Sequence, residues 1–400
     1  MTRRLLIECG AAQTRAALLV GDEPMHFWFG PARGDENLPA PPQAGDLFAG
    51  RVRSVSKSLG GAFIDIGAER DGFLPFRKNE KPLSEGAQII VMARRPPIGG
   101  KGAVLRIAAD EDLHDGLIEQ ARKIGVGELG RSNDAAVMAF CVCGLDRGGD
   151  FEILVGEPAS KRALEDWSND THAKIEPERF ERYLIDEAIE EMFGQRITLE
   201  NGAELIFHET EAGVLIDIDS AAAAGRASLA INDKINESAV RRMLLEIQRR
   251  QIGGRVIVDF VPPSNAATRT RLADSVKAGL KSFARSRFGK LSADGLCDFT
   301  LARTSRSHLE HATERAGAGW PVPGRRFTRD WLAKAAIRRL ERALGARASA
   351  RLRLIVGPEI ADYLEGERPQ WAERLKQKFG ARFSIERSAL MEPRDHDLAE

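Results

Sequence analysis

Three aspartates carry the sharpest chemistry in the sequence. Asp217 and Asp219 lie two residues apart in the apolar run "VLIDIDSA" (Val214–Ala221). Side chains at i and i+2 of a strand share a face, so these carboxylates should project side by side. Asp259 closes a second apolar run, "RVIVDF", 42 residues after Asp217 and just before a Pro-Pro break. A strand–helix–strand order allows the two runs to be sheet neighbours, bringing three carboxylates together. Clustered carboxylates repel unless a cation sits among them. An all-oxygen set suits Mg²⁺, which keeps waters and takes substrate phosphates, and Mn²⁺ accepts the same ligands. The plain alternative is a half-exposed strand with aspartates on its wet face. Asp65, in the similar run "FIDIG", reads as a turn or barrel-rim residue, so an acid in an apolar run means little alone.

Cations follow Asp259 at Arg269, Arg271, Lys277, Lys281, Arg285 and Arg287, along a span (264–287) that reads as one helix. Beside a carboxylate metal site such a helix would position phosphates, with Arg269 and Arg271 as candidate contacts; by itself it is an ordinary solvated face. A second candidate surface comes earlier. Residues 45–76 alternate as strands at 47–55, 62–66 and 71–76, and two more runs follow at 86–95 and 102–109. Five short strands in so little chain suggest a small barrel of the OB type. Phe63 and Phe73 fall on neighbouring strands amid Arg51, Arg53, Lys57 and Lys101. Aromatics on a barrel face can stack unpaired bases while cations hold phosphates. Both phenylalanines could equally be barrel core.

The remaining elements must position these groups. The chain has 400 residues, enough for several domains, with 43% hydrophobic and 30% charged residues. No apolar run approaches the ~18 residues of a membrane span. Glu8, Gln13 and Arg15 interrupt the N-terminal apolar stretch, which argues against a secretory signal. The four cysteines, Cys9, Cys141, Cys143 and Cys297, are scattered; "CVC" alone is a weak metal signal, and a reducing cytoplasm fits. The net charge of +0 argues neither for nor against nucleic acid. No P-loop, GxGxxG or Ser/His/Asp order stands out, and His172, His208, His308 and His311 read as surface or structural. A hairpin is expected at 3–9 and 15–20, a connector at 30–45, a strand at 151–156, and helices at 158–167 and 176–194. Residues 195–220 read as three strands with turns at Asn201-Gly202 and Glu211–Gly213. A helix at about 233–251 carries Ile235, Ala239, Met243, Leu244 and Ile247 on one face. A tail of two helices around the strand 351–357 ends the chain.

With these residues in view, the sequence resembles the RNase E/G family of endoribonucleases. "GRVRSVSKSLGGAFIDIGAERDGFLPF" is similar to the family's S1 RNA-binding domain, "EAGVLIDIDSA" to its "EALTAIDINSA" and "QRRQIGGRVIVDF" to its "LRLRxLGGxIVIDF". "GGDFEILVGEPASKRALEDW" resembles the RNase-H-like subdomain, and "LRLIVGPEIADYLEGE" the small C-terminal domain. The resemblance implies that Asp217 and Asp259 bind the catalytic Mg²⁺, and that Phe63, Phe73 and Lys101 contact RNA. Asp219 stands where the family has an asparagine that orients the scissile phosphate or its water. Pro262 replaces a further aspartate. The two-cysteine zinc-link motif is absent between 300 and 325, so neither zinc nor a zinc-bridged dimer is expected. The 5′-monophosphate sensor is nearly deleted.

The resulting expectation is an α/β multi-subdomain protein: an S1-type OB β-barrel inserted in an RNase-H-like subdomain, then a DNase I-like α/β catalytic subdomain and a small α/β C-terminal domain. The expected boundaries are 1–40 and 111–194 for the RNase-H-like parts and the sensor remnant, 41–110 for the S1 barrel, 195–315 for the catalytic subdomain and 325–400 for the C-terminal domain. The expected activity is Mg²⁺-dependent cleavage of single-stranded RNA in the cytoplasm by Asp217, Asp219 and Asp259, leaving a 5′-phosphate on the downstream product. The rival expectation is an RNA-binding protein of the same family with weak or lost catalysis. The oligomeric state stays open.

Overall fold

The computed structural model describes residues 3–32, 42–43, 46–76, 83–98, 101–108, 115–130, 151–155, 174–177, 180–210, 212–220, 229–283, 285–303, 305–317, 321–366 and 370–400. The chain divides into two compact units: residues 1–38, 134–194 and 308–400 form one, and 39–133 with 195–307 the other.

In the first unit, β1 (Arg3–Cys9), β2 (Gln13–Val20) and β3 (Glu23–Pro31) form an antiparallel meander. The second unit supplies β4–β9, so the sheet continues at β10 (Phe151–Val155) and β11 (Lys174–Pro177), giving the order β11-β10-β1-β2-β3 with both added strands parallel. Leu6, Ala17, Leu19 and Phe27 pack against Ile185, Ile189 and Phe193 of a short helix, Ile185–Phe193. The C-terminal part folds around a three-stranded sheet. Its strands are Leu352–Val356 at the centre, Phe383–Arg387 parallel to it and His396–Ala399 antiparallel. Helices Arg329–Ala346, Pro358–Glu365 and Gln370–Phe379 enclose its core. A buried ionic network ties this part to the β1–β2 hairpin. Arg15, 1% exposed, donates to Glu8 and, at 2.6 Å, to Asp186, and Arg342 from the long helix bonds the same two acids.

The second unit opens with a barrel. Its strands are β4 (Leu47–Ser56), β5 (Gly61–Asp65), β6 (Gly72–Pro75), β7 (Gln88–Arg95) and β8 (Val104–Ile107). They run in the order β5-β6-β8-β7-β4, and a β4–β5 pairing closes the ring. Helix α1 (Asp115–Ile124) leads to β9 (Gly127–Gly130), which adds to β4. Alternate inward residues such as Val52, Ile64, Leu74, Val91 and Leu105 fill the barrel.

The same unit holds a six-stranded sheet: β12 (Arg196–Thr198), β13 (Glu204–Glu209), β14 (Val214–Asp219), β15 (Gly254–Asp259), β16 (Arg287–Leu291) and β17 (Leu296–Leu301), in the order β12-β13-β14-β15-β17-β16. Only β14 and β15 pair in parallel. A parallel pair needs a crossover, and the 21-residue helix Leu229–Arg249 lies between them in sequence. Ile235, Ala239, Met243 and Ile247 of that helix are buried in one core with Leu272, Val276 and Leu280 of the helix Ala266–Leu280 and with the inner residues of the sheet. The sheet's burial alternates strand by strand, so one face is packed and the other open.

Several elements differ from the sequence expectation. The helix expected at 176–194 is broken: β11 ends at Pro177, a 3₁₀ turn spans Phe180–Tyr183, and Leu184 takes a left-handed conformation (φ 49°) before the helix begins at Ile185. The helix expected at 264–287 ends at Leu280, where Ser282 and Phe283 donate back to Gly279 and Leu280. The chain then turns into β16, so Lys281, Arg285 and Arg287 leave the helix, and Arg287 lies on an edge strand. β3 falls just ahead of, and within, the expected connector. The C-terminal tail has three helices and three strands rather than two helices around one. The helix expected at 158–167, Cys141 and Cys143 lie outside the described residues.

Candidate active site on the open sheet face

Asp217 and Asp259 are register partners across the parallel pair β14–β15. Both are exposed on the open face. Neighbouring strands lie about 4.8 Å apart, so one cation can bridge the two carboxylates. The site sits at the C-terminal ends of the parallel strands, where open α/β sheets present ligands.

The end of β15 is fastened from both sides. Phe260 N–H donates to the Gly295 carbonyl at 3.1 Å, and Asn236 Nδ2 on the crossover helix donates to the Val261 carbonyl at 2.8 Å. Gly295 has φ +101°, and a Cβ there would lie 2.1 Å from the Phe260 oxygen, so no other residue fits. Pro262 and Pro263 then stop the ladder, because proline has no N–H to donate.

Asp219 lies one step beyond the pair, partly buried, opposite Glu204 of β13. Among the described residues no three His, Cys, Asp or Glu side chains are grouped to hold a metal ion. The expected trio therefore resolves into a registered pair, since β15 ends at Asp259 and offers Asp219 no partner. Two exposed carboxylates with no nitrogen or sulfur donor between them fit Mg²⁺ or Mn²⁺, which take one or two protein carboxylates and complete their shells with water and phosphate. Cys297, on the packed face, is no ligand for this site; burial pushes its thiol up to about 12.

Arg269 and Arg271 occupy the first turns of the helix Ala266–Leu280. Asn265 caps that helix by accepting the Thr268 N–H at 2.9 Å. Arg271, exposed, donates to Thr268 Oγ1 at 3.0 Å, while Arg269 is half-buried.

On the barrel, Phe63 and Phe73 are register partners of β5 and β6, with ring centroids 5.4 Å apart. Both are half-buried and neither belongs to the barrel core, which leaves their rings facing outward. Gly61 makes room for them: a Cβ there would lie 2.5 Å from the Phe73 ring. Lys101 is exposed at a bridge with Ile98. Asp65 accepts from Arg53 at 2.7 Å and from the Gly67 N–H at 3.0 Å, the rim role that its sequence setting suggests.

The sequence reading passed over the hairpin β16–β17, which flanks Asp259 with Leu296 and carries Asp298. Its signal was present: Asp294-Gly295 between two alternating runs is a hairpin turn pattern. Asn236 had no such signal, because only the fold brings it to the chain after Asp259.

Comparison with known proteins bears on what this arrangement serves. The family model described as "Ribonuclease E/G family" matches residues 157–304, a span that includes both β14 and β15. Ribonuclease G of Escherichia coli (strain K12) is 22% identical over 497 aligned positions, covering 100% of this chain and 99% of the relative. Ribonuclease G of Haemophilus influenzae is 24% identical over 81% of this chain and 85% of its own length. A chloroplastic Ribonuclease E/G-like protein of Arabidopsis thaliana is 30% identical over 32% of this chain and 13% of its own length. The first of these alignments is longer than the chain, so this protein lacks segments that the relative carries. From the family match and the end-to-end relatives together, the chain belongs to the Ribonuclease E/G family.

Proposed function

We propose that this protein is an endoribonuclease that cleaves single-stranded RNA in RNA processing or decay, using a divalent cation held by Asp217 and Asp259. The carrying observation is the pairing of these two carboxylates at one register position on the open face of the sheet. The names of the relatives, ribonucleases G and E, support the same class of reaction.

In this reading the S1-like barrel clamps the strand. Phe63 and Phe73 stack an unpaired base, and Lys101 and the barrel's arginines meet the backbone. Arg269 and Arg271 attract the phosphates near the acids. Asp217 and Asp259 hold the cation, with Mg²⁺ first and Mn²⁺ as the alternative. A bound divalent ion supplies Lewis-acid stabilisation of charge on the phosphoryl oxygens and lowers the pKa of a water. Asp219 lies beside the reacting phosphate, where it orients water or, being an acid, repels the phosphate. The downstream product carries a 5′-phosphate. We assign the β1–β3/β10–β11 sheet to an RNase-H-like subdomain, the six-stranded sheet to a DNase I-like one and 325–400 to the small C-terminal domain.

The test is cleavage of a fluorescent AU-rich oligoribonucleotide with Mg²⁺ by wild type, Asp217→Asn and Asp259→Asn. Loss of cleavage in both variants is expected, and equal rates in all three would overturn the proposal. A second reading, RNA binding with weak catalysis, draws on Asp219 facing Glu204, which concentrates negative charge beside the site. It requires salt-sensitive RNA binding without metal-dependent turnover.

A further inference from the structure

The open face around the acid pair is zoned along the strands. Asp217 and Asp259 form the top row, flanked across β17 by Leu296, which registers with Asp259. Two residues back, Leu215 pairs with Ile257. Two residues back again, Arg255 pairs with Thr300, which in turn pairs with Arg287 on the edge strand. Register partners share a face, so these rows lie on one surface. Leu215 and Leu296 are each 45% exposed, unusual for leucines inside a sheet, and Ile257 is half-buried between them and the arginines.

An apolar strip thus separates two acids from two exposed cations. From Asp259 to Arg255 is four residues, about 13 Å along the strand. The strip is too small for a protein interface, which takes roughly 800 Å² per partner. Its charge order matches a nucleotide instead. A cation on the acids takes one phosphate, the arginines take another, and the aliphatic floor between them accepts a planar apolar surface. Bases are held between apolar as well as aromatic side chains.

We propose that Leu215, Ile257 and Leu296 form a seat for one unpaired nucleobase next to the scissile phosphate, with Arg255 and Arg287 binding the phosphate beyond it. The seat is separate from the Phe63–Phe73 surface of the barrel and would add a second point of base recognition. The identity of the strand as substrate rests on the proposed RNA cleavage, whereas the seat itself is read without cleavage.

The experiment is methyl NMR of the full chain, with labelled Leu and Ile methyls, titrated with a short single-stranded oligoribonucleotide in EDTA. It is repeated with a set of the same oligonucleotide in which one abasic ribose moves position by position. The Leu215, Ile257 and Leu296 methyls are expected to shift, and one abasic position should remove the shift. In parallel, Leu215→Ser should lower kcat/KM about fivefold or more, less so on the substrate abasic at that position. If these methyls stay still while resonances of the barrel move, the seat is overturned and cleavage by the acid pair stands. If they shift in the abasic-dependent way but wild type never cleaves, the seat stands and the catalytic reading falls. Shifts equal for all abasic substrates also overturn the seat.

Discussion

Asp217 and Asp259 face each other across two parallel strands, although 42 residues separate them in sequence. Bare, these like charges repel; a divalent cation turns the repulsion into a bridge. Metal should therefore stabilise the fold as well as serve the reaction. Mg²⁺ should raise the thermal midpoint of wild type, and leave Asp217→Asn and Asp259→Asn nearly unmoved. The same variants should lose about 100-fold or more in kcat. A midpoint that responds equally to Mg²⁺ in all three proteins places the metal elsewhere.

Asp219 meets Glu204 directly across β13–β14, a like-charge cross-strand pair. Such pairs destabilise by a few tenths to about 1 kcal/mol. Asp219→Asn should raise the urea midpoint by that order and increase cleavage, because it removes negative charge next to the phosphate. If cleavage is abolished instead, Asp219 is a working ligand.

Phe63 and Phe73 form a paired aromatic surface outside the barrel core. Replacing either with Ala should weaken binding of a short single-stranded RNA by about 1–3 kcal/mol, read by fluorescence anisotropy. Barrel stability should change less than for a core residue such as Leu74, which is 2% exposed. Wild-type affinity in both alanine variants would assign these rings to packing.

Stability should vary with pH through three buried groups of opposite sign. Burial pulls His26 from 6.5 down to about 4 and holds His308 well below 6.5. Their contribution is complete above pH 6.5 and is lost as the pH falls towards 4. Burial pushes Glu341 from 4.5 up to about 7, although it accepts the Ala11 N–H at 2.9 Å and bonds Lys378. Its contribution is complete below pH 4.5 and is lost as the pH rises through 7. On acidification Glu341 thus offsets the histidines. Glu341→Gln should steepen the loss of stability between pH 7.5 and 5 by about 2–3 kcal/mol, read from denaturant midpoints at both pH values. Parallel curves for wild type and variant would show that Glu341 titrates normally.

Local pattern alone sufficed for much of this protein. Alternation marked the β1–β2 hairpin, the five barrel strands and the strands ending in Asp217 and Asp259, because a half-buried strand must alternate. The stripe from Ile235 to Ile247 marked the crossover helix, because one face of a helix packs. Residue type also singled out Asp217, Asp259, Phe63 and Phe73. Tertiary structure decided what those residues meet. Register set Asp217 against Asp259 and left Asp219 against Glu204, since strand pairing depends on where the crossover helix returns the chain. Packing turned Phe63 and Phe73 outward from a barrel already filled by Ile64 and Leu74. The end of the helix at Leu280 was decided by the hairpin that follows, because Arg287 is needed on an edge strand beside Thr300. Sequence specifies the chemistry that each strand carries. Only the closed hydrogen-bond ladder, a non-local property, specifies which carboxylates share a cation.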